Sequence, residues 1–263
     1  QYSKKYVKSY NSNAGRLGKL KYNKGMKAKT YNYGDHQLQN LDVFSASGVH
    51  HNPVVIFWHG GSWQGGDKKT YRFIGRTFSK LGCNVVIPNY RLYPKVKFPE
   101  FVEDGAMAIK WVATHFPKSK IVLMGHSAGA HIAAMLTFEN KYLKQVGVDS
   151  NRIGGIIGIS GPYNFTLSPG IKDVFSSSPK IEWNPYDMLI NPKPAMLIYG
   201  ERDKVVAISN SEDLYQKLRK LGGYPLILEL PILGHISILL PFIIRFVGFP
   251  GLKSKVKQFL EGI

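Results

Sequence analysis

Acidic residues are scarce in this chain. Seventeen Asp and Glu face 35 Lys and Arg, a formal net charge of +18. That imbalance does not bear on fold, but it makes nucleic acid, an anionic membrane surface or an acidic substrate the partners to weigh. Cysteine is scarcer still. Cys83 stands alone, which excludes an intrachain disulfide and a cysteine-rich zinc site. It sits in the run Cys83-Asn84-Val85-Val86-Ile87 and reads as a buried apolar thiol. Long apolar runs are also missing. None reaches the roughly 18 residues that cross a bilayer. The nearest, residues 230–244, is broken by Pro231, Gly234, His235, Ser237 and Pro241, and reads as a strand end, a loop and a buried segment. There is no internal repeat and no low-complexity tract. The chain starts at Gln1 rather than Met, so a processed or trimmed protein is expected, either cytoplasmic or exported after loss of a signal peptide, with no transmembrane helix.

What is present points to a folded domain. Of 263 residues, 44% are hydrophobic, enough for a sizeable core, and the length suits a single α/β unit of about 200–250 residues. Residues 1–35 stand apart as a basic N-terminal arm or short cap. The first 34 residues hold nine cations (Lys4, Lys5, Lys8, Arg16, Lys19, Lys21, Lys24, Lys27, Lys29) and no acid, with Tyr2, Tyr6, Tyr10 and Tyr22 interleaved. The arm is read as a solvated extension, with peripheral contact with an anionic membrane as the functional alternative. No recognised nucleic-acid motif accompanies the lysines, so nucleic acid is not expected as a partner.

Residues 36–263 read as the main domain. Residues 38–44 suggest an early strand. Continuous apolar runs without alternation follow at Val54–Trp58, at residues 84–88, 121–124 and 155–159, and at residues 195–199 and 226–230, as expected for strands buried on both faces. Between them lie segments with helical spacing, among them Phe73, Ile74, Phe78 and Leu81, then Phe101, Met107, Ala108, Trp111 and Val112, then Leu214, Leu218 and Leu221 ahead of Gly222-Gly223. Residues 253–260 form a last amphipathic piece. Buried strands alternating with amphipathic helices predict a mostly parallel sheet covered on both sides. A long proline-rich loop over residues 161–194 is expected to be an ordered excursion lining a cleft.

One motif carries chemistry. Gly125-His126-Ser127-Ala128-Gly129 has the form G-x-S-x-G, with a strand ending just before it and a helix starting just after. A sharp strand-to-helix turn holds the serine in a strained backbone and projects its hydroxyl out of the sheet. A serine hydroxyl is a poor nucleophile at neutral pH and needs a base. In this architecture the chain order is nucleophile, acid, histidine. Only His131 and His235 follow Ser127. No acid separates His131 from Ser127, which leaves His235. Asp203 lies between them and just past the strand at 195–199, where its carboxylate can accept the Nδ1–H of His235. Glu201 is the runner-up. Asp173, Glu182 and Asp187 fall in the long loop. A second glycine-rich turn, His59-Gly60-Gly61-Ser62-Trp63, closes the strand Val54–Trp58 and can present backbone N–H groups to a developing oxyanion, with the N–H of Ala128 as partner. Trp63 is read either as a wall of the acyl or alcohol site or as a core aromatic. Arg91 is expected to hold a loop. Glu103 and Asp104 are expected to suit the positive end of the helix they open. The apolar stretch from Leu239 to Phe249 is read as core or cleft wall, with a membrane-docking patch as the alternative.

These residues resemble an α/β-hydrolase of the hormone-sensitive-lipase-like and small carboxylesterase branch, which includes feruloyl-esterase-like and kynurenine-formamidase-like enzymes. The resemblance covers roughly residues 36–262. It rests on His59-Gly60-Gly61-Ser62-Trp63, Asn89-Tyr90-Arg91-Leu92, Phe98-Pro99 through Asp104, Gly125-His126-Ser127-Ala128-Gly129, Gly200-Glu201-Arg202-Asp203 and His235. It implies the α/β-hydrolase fold, nucleophile Ser127, acid Asp203, base His235, and oxyanion donors from Gly61, Ser62 and Ala128, with no metal or cofactor. Many lipolytic members carry a third glycine where this chain has Ser62, and Ser62-Trp63 looks more like the formamidase and feruloyl-esterase versions. The expected activity is hydrolysis of small to medium acyl esters through an acyl-enzyme. An arylformamidase-like amidase with the same triad and a non-catalytic binding module on the same fold are the alternatives.

Overall fold

The computed structural model describes residues 27–47, 53–243, 249 and 251–263. Most of the basic arm, and Ile244, Phe246 and Val247 of the apolar stretch, therefore lie outside the described residues. The apolar runs become the strands of one eight-stranded sheet: β1 (Lys29–Asn32), β2 (Asn40–Phe44), β3 (Val54–Trp58), β4 (Val85–Pro88), β5 (Ile121–His126), β6 (Ile153–Ile159), β7 (Ala195–Gly200) and β8 (Leu226–Leu230), in the spatial order β1-β2-β4-β3-β5-β6-β7-β8. The β1–β2 and β2–β4 pairs are antiparallel and every other pair is parallel. The early strand starts at Asn40 rather than at residue 38, because residues 37–39 make the turn that returns β1 to β2, with Tyr33 N–H donating to Gln39 O. No periodicity announces β1. All four of its residues are exposed, and it exists because β2 offers an edge to pair with.

The pleat distributes the apolar runs to two cores. Val54, Ile56 and Trp58 of β3 face one side, where α2 (Glu100–His115), α3 (Ala128–Phe138) and α7 (Ser209–Lys220) pack. Val55 and Phe57 face the other side, covered by α1 (Arg72–Lys80), α8 (Leu240–Ile243) and α9 (Leu252–Glu261). Alternating side chains on a strand point to opposite faces, so a strand covered on both faces has no polar phase. The described part of the apolar C-terminal stretch belongs to this second core: Phe242 is fully buried against Phe78, and Thr77 Oγ1 donates to its carbonyl. Cys83 is buried in the same core. A short helix, α4 (Lys141–Gln145), follows α3, and the loop at 161–194 carries two short α-helices, α5 (Lys180–Trp183) and α6 (Pro185–Met188).

Asp104 does something other than complement a helix end. It is the fifth residue of α2, fully buried, and its carboxylate receives the Arg91 side chain (Nη2 to Oδ1, 2.7 Å), the Arg91 backbone N–H (2.8 Å) and Gln39 Nε2 (2.7 Å). Arg91 thus ties the segment after β4 to α2, as the sequence suggests. Removing the carboxylate takes the acceptor from the Gln39 amide and the Arg91 N–H and the counter-charge from the part-buried Arg91 guanidinium. Asp104→Ala is expected to lower unfolding stability by about 3 kcal/mol, read as a drop in the urea midpoint at unchanged slope. A loss below about 0.5 kcal/mol would count the pair as inert.

Candidate active site

The segments that follow β3, β5, β6 and β7 line one cavity of about 860 Å³. Ser127 lies between β5 and α3 with φ 55° and ψ −123°, a conformation rarely adopted by a side-chain-bearing residue. Its N–H donates to Ile159 O on the neighbouring strand, and its carbonyl accepts from the first turn of α3, so both flanks hold the strained residue in place. Gly129 lets α3 start this close to β3: a Cβ there would come within 2.1 Å of Trp58 O.

Three of the sequence-predicted side chains meet. His235 Nε2 is 2.8 Å from Ser127 Oγ, and His235 Nδ1 is 2.8 Å from Asp203 Oδ2. Ser127 and His235 are 6% and 5% exposed, so the contact is nearly dry yet reachable from the cavity. Asp203 Oδ1 accepts from the N–H groups of Val205 (2.9 Å) and Val206 (3.0 Å). Burial opposes ionisation of this carboxyl. The hydrogen bond and charge of His235, together with the two backbone donors, outweigh burial and hold it below the usual carboxylate range. An ionised Asp203 requires the proton of His235 on Nδ1, which leaves Nε2 free to accept from the serine hydroxyl. Glu201 does not reach His235. It is exposed, and its carboxylate accepts from Ile232 N–H at the base of the histidine loop.

The glycine-rich turn after β3 lies beside the serine. Ser62 and Trp63 both have positive φ, 54° and 58°. Ser62, Trp63, Ser127 and Ala128 line the cavity, and among the described residues the N–H groups of Ser62 and Ala128 donate to no other group. Gly61 stands behind this wall. Its φ of 130° sets the turn, and a Cβ there would come within 2.2 Å of Gly65 O. Trp63 lines the cavity, and it packs edge-on against His131 and Phe175. The rest of the lining comes from residues between 162 and 171 of the long loop, with Phe165 stacked parallel to Trp63, and from residues between 204 and 210 beyond Asp203. Phe165 was not legible as a site residue, since no spacing rule singles out an aromatic in an irregular loop.

Three further histidines support the site without facing the cavity. His59, His126 and His131 are fully buried or nearly so. Burial pushes their rings down to about 4, about 3 and about 4, against partial compensation from backbone partners. All three are therefore neutral in the folded protein, whereas the unfolded chain protonates them near pH 6.5. Their contribution to stability is complete above about pH 6.5 and is lost as the pH falls toward 4, at about 1.4 kcal/mol per histidine per pH unit. Thermal midpoints measured from pH 7.5 to 4.5 are expected to fall steeply below 6.5. A flat profile would mean that these rings are not held neutral.

A family model described as BD-FAE matches residues 41–196, from β2 to the start of β7. The chain belongs to the BD-FAE family. The match takes in the glycine-rich turn and the serine elbow and ends before Asp203 and His235. Among similar proteins, a probable isoprenylcysteine alpha-carbonyl methylesterase of Arabidopsis thaliana, ICMEL1, is 28% identical over 224 residues, covering 73% of this chain and 47% of that protein. Esterase LipC of Mycobacterium tuberculosis is 26% identical over 83% of this chain and 62% of its own length. A kynurenine formamidase of Meyerozyma guilliermondii is 33% identical over 41% of this chain and 42% of its own length. The BD-FAE member thus spans about half the length of these relatives. Among solved structures, an esterase of the archaeon Pyrobaculum calidifontis superposes with a TM-score of 0.76 at 21% identity, covering 99% of this chain and 93% of the other. A truncated carbohydrate esterase from gut microbiota superposes at 0.73 and 17% identity, covering 91% and 98%. The fold is that of the α/β-hydrolases.

Proposed function

We propose that this BD-FAE member is a serine hydrolase that cleaves carboxylic esters of small to medium acyl chains. The observation that carries the reading is the unbroken relay of Ser127 Oγ, His235 and Asp203, at 2.8 Å for each link, with Ser127 lining a cavity of about 860 Å³. In the proposed route Ser127 Oγ attacks the ester carbonyl while His235 Nε2 takes its proton. The tetrahedral oxyanion sits against the N–H groups of Ser62 and Ala128, each such donor contributing about 2.7–4 kcal/mol to related transition states. Collapse expels the alcohol, which receives the proton from His235. Water, deprotonated by the same imidazole, then releases the acid from the acyl-enzyme. Trp63 and Phe165 make an apolar wall suited to the hydrocarbon part of an acyl or aryl group.

The names of the relatives support ester chemistry for the reading and leave the substrate open. A second reading, an amidase acting on N-formyl aryl amides, is favoured by the formamidase among the relatives and by Ser62-Trp63. A panel of p-nitrophenyl esters with acyl chains of two to twelve carbons, run beside an N-formyl aryl amide, tests both. Turnover is expected to be highest for chains of two to six carbons. A rate on the formamide exceeding every ester would move the assignment to the amidase. No labelling of Ser127 by a fluorophosphonate probe, together with no turnover on any substrate, would leave a binding module on the same fold.

A further inference from the structure

The residue preceding the serine is engaged on both of its ring nitrogens. His126 Nε2 lies 2.8 Å from the carbonyl oxygen of His235, and His126 Nδ1 lies 3.1 Å from Tyr71 Oη. A carbonyl can only accept, so Nε2 carries the proton. In the neutral ring Nδ1 is then bare and accepts from the Tyr71 hydroxyl. Tyr71 Oη in turn accepts, at 3.4 Å, from the N–H of Gly60 in the glycine-rich turn. The hydrogen-bond chain thus runs from the turn that carries Ser62, through Tyr71 and His126, to the backbone of His235. Tyr71 and His126 are fully buried, and the His126 and His235 rings pack at 4.9 Å.

The loop bearing His235 is also held from the side of the acid. Arg202 N–H donates to Leu233 O, Glu201 N–H to Leu230 O, and Ile232 N–H to Glu201. Those bonds fix His235 relative to Asp203. The contact from His126 ties the same loop to the nucleophile elbow, since His126 and Ser127 share a peptide bond.

We propose that His126 is a positioning residue: its Nε2–H clamps the His235 carbonyl and so sets the imidazole at proton-transfer distance from Ser127 Oγ, while Tyr71 fixes the tautomer that makes the clamp and joins it to the oxyanion turn. The proposal rests on the reading of Ser127, His235 and Asp203 as an ester-hydrolysing triad. A displacement of about 1 Å at a reacting group can cost about 10²-fold in rate.

The test compares His126→Leu, which removes both polar contacts, with His126→Gln, whose amide can place a donor where Nε2 stands, and with Tyr71→Phe. Turnover of p-nitrophenyl butyrate, thermal midpoints and the downfield proton resonance of the His235–Asp203 hydrogen bond are read for each. His126→Leu is expected to lose about 10²-fold in kcat with KM within about threefold, and to shift or broaden the downfield signal. His126→Gln is expected to recover most of the kcat, and Tyr71→Phe to fall between the two. A folded His126→Leu with parental kcat and an unchanged downfield signal would overturn the proposal, as would equal kcat losses in the leucine and glutamine variants. If the leucine variant does not fold, Tyr71→Phe decides: parental kcat there overturns the coupling. A parent enzyme inactive on the ester would count against the functional reading, whereas the downfield signal in parent and variants judges the clamp without turnover.

Discussion

Ser127→Ala is expected to lower kcat on a short acyl ester by about 10⁴–10⁶-fold while leaving the protein folded. The hydroxyl is the only nucleophile of the proposed route. Without it, water would have to attack the bound ester directly, assisted by the Ser62 and Ala128 N–H groups and by the binding surface alone. Residual rates of about 10³–10⁴ over water are typical of sites left in that condition. The fold should tolerate the change. The recorded side-chain contact of Ser127 is with His235, and alanine adopts positive φ no more readily than serine does, so the strained backbone is neither relieved nor worsened. A thermal midpoint within a few degrees of the parent would show that the loss is chemical. A kcat within tenfold of the parent would remove Ser127 from the mechanism.

Asp203→Asn is expected to lower kcat by about 10⁴-fold with little change in KM. The geometry specifies why. Asp203 Oδ1 is held by the N–H groups of Val205 and Val206, while Oδ2 faces His235 Nδ1. In the asparagine variant the two backbone donors retain the amide oxygen, so the NH₂ group must turn toward His235. An NH₂ there can only donate. It drives the imidazole to the tautomer with a bare Nδ1 and a protonated Nε2, which cannot accept the serine proton. Glu201→Gln supplies the comparison. Glu201 touches the histidine loop through Ile232 N–H and not through the imidazole, so its kcat should stay within about tenfold, in keeping with one exposed hydrogen bond. Equal losses in the two variants would mean that loop support, rather than tautomer control, is what Asp203 provides.

The two predictions also mark how far the chain could be read before folding. Ser127 was recognisable because its neighbours carry a local constraint: a strand run on one side, a helix on the other, and glycines where the chains cross. Asp203 and His235 are picked out by order along the chain and by their places just past strand runs, and the structure brings them to Ser127 because loops after the strands of a parallel sheet emerge at the same edge. The sequence puts Asp203 first and leaves Glu201, two residues away, as the runner-up, since both follow β7. Their separation comes from which of them turns inward under the N–H groups of Val205 and Val206. Asp104 was misread for a related reason. Its place near a helix start suggested the dipole, whereas Arg91, thirteen residues away, and Gln39, sixty-five residues away, claim its oxygens.

The amino-acid sequence alone determined the alternation of buried strands and amphipathic helices, the sharp turn at Ser127 and which aspartate and histidine to expect beside it, because each depends on local spacing or on order along the chain. Only the tertiary structure decided that β1 adds an antiparallel edge, that Phe165 stacks on Trp63 beside the cavity, that Ser62 and Ala128 line the cavity while Gly61 stands behind them, and that His126 and Tyr71 join the elbow to the histidine loop. Those are contacts between segments tens of residues apart. They depend on which side chains the packing leaves facing one another, and neither the twofold period of a strand nor the 3.6-fold period of a helix encodes that choice.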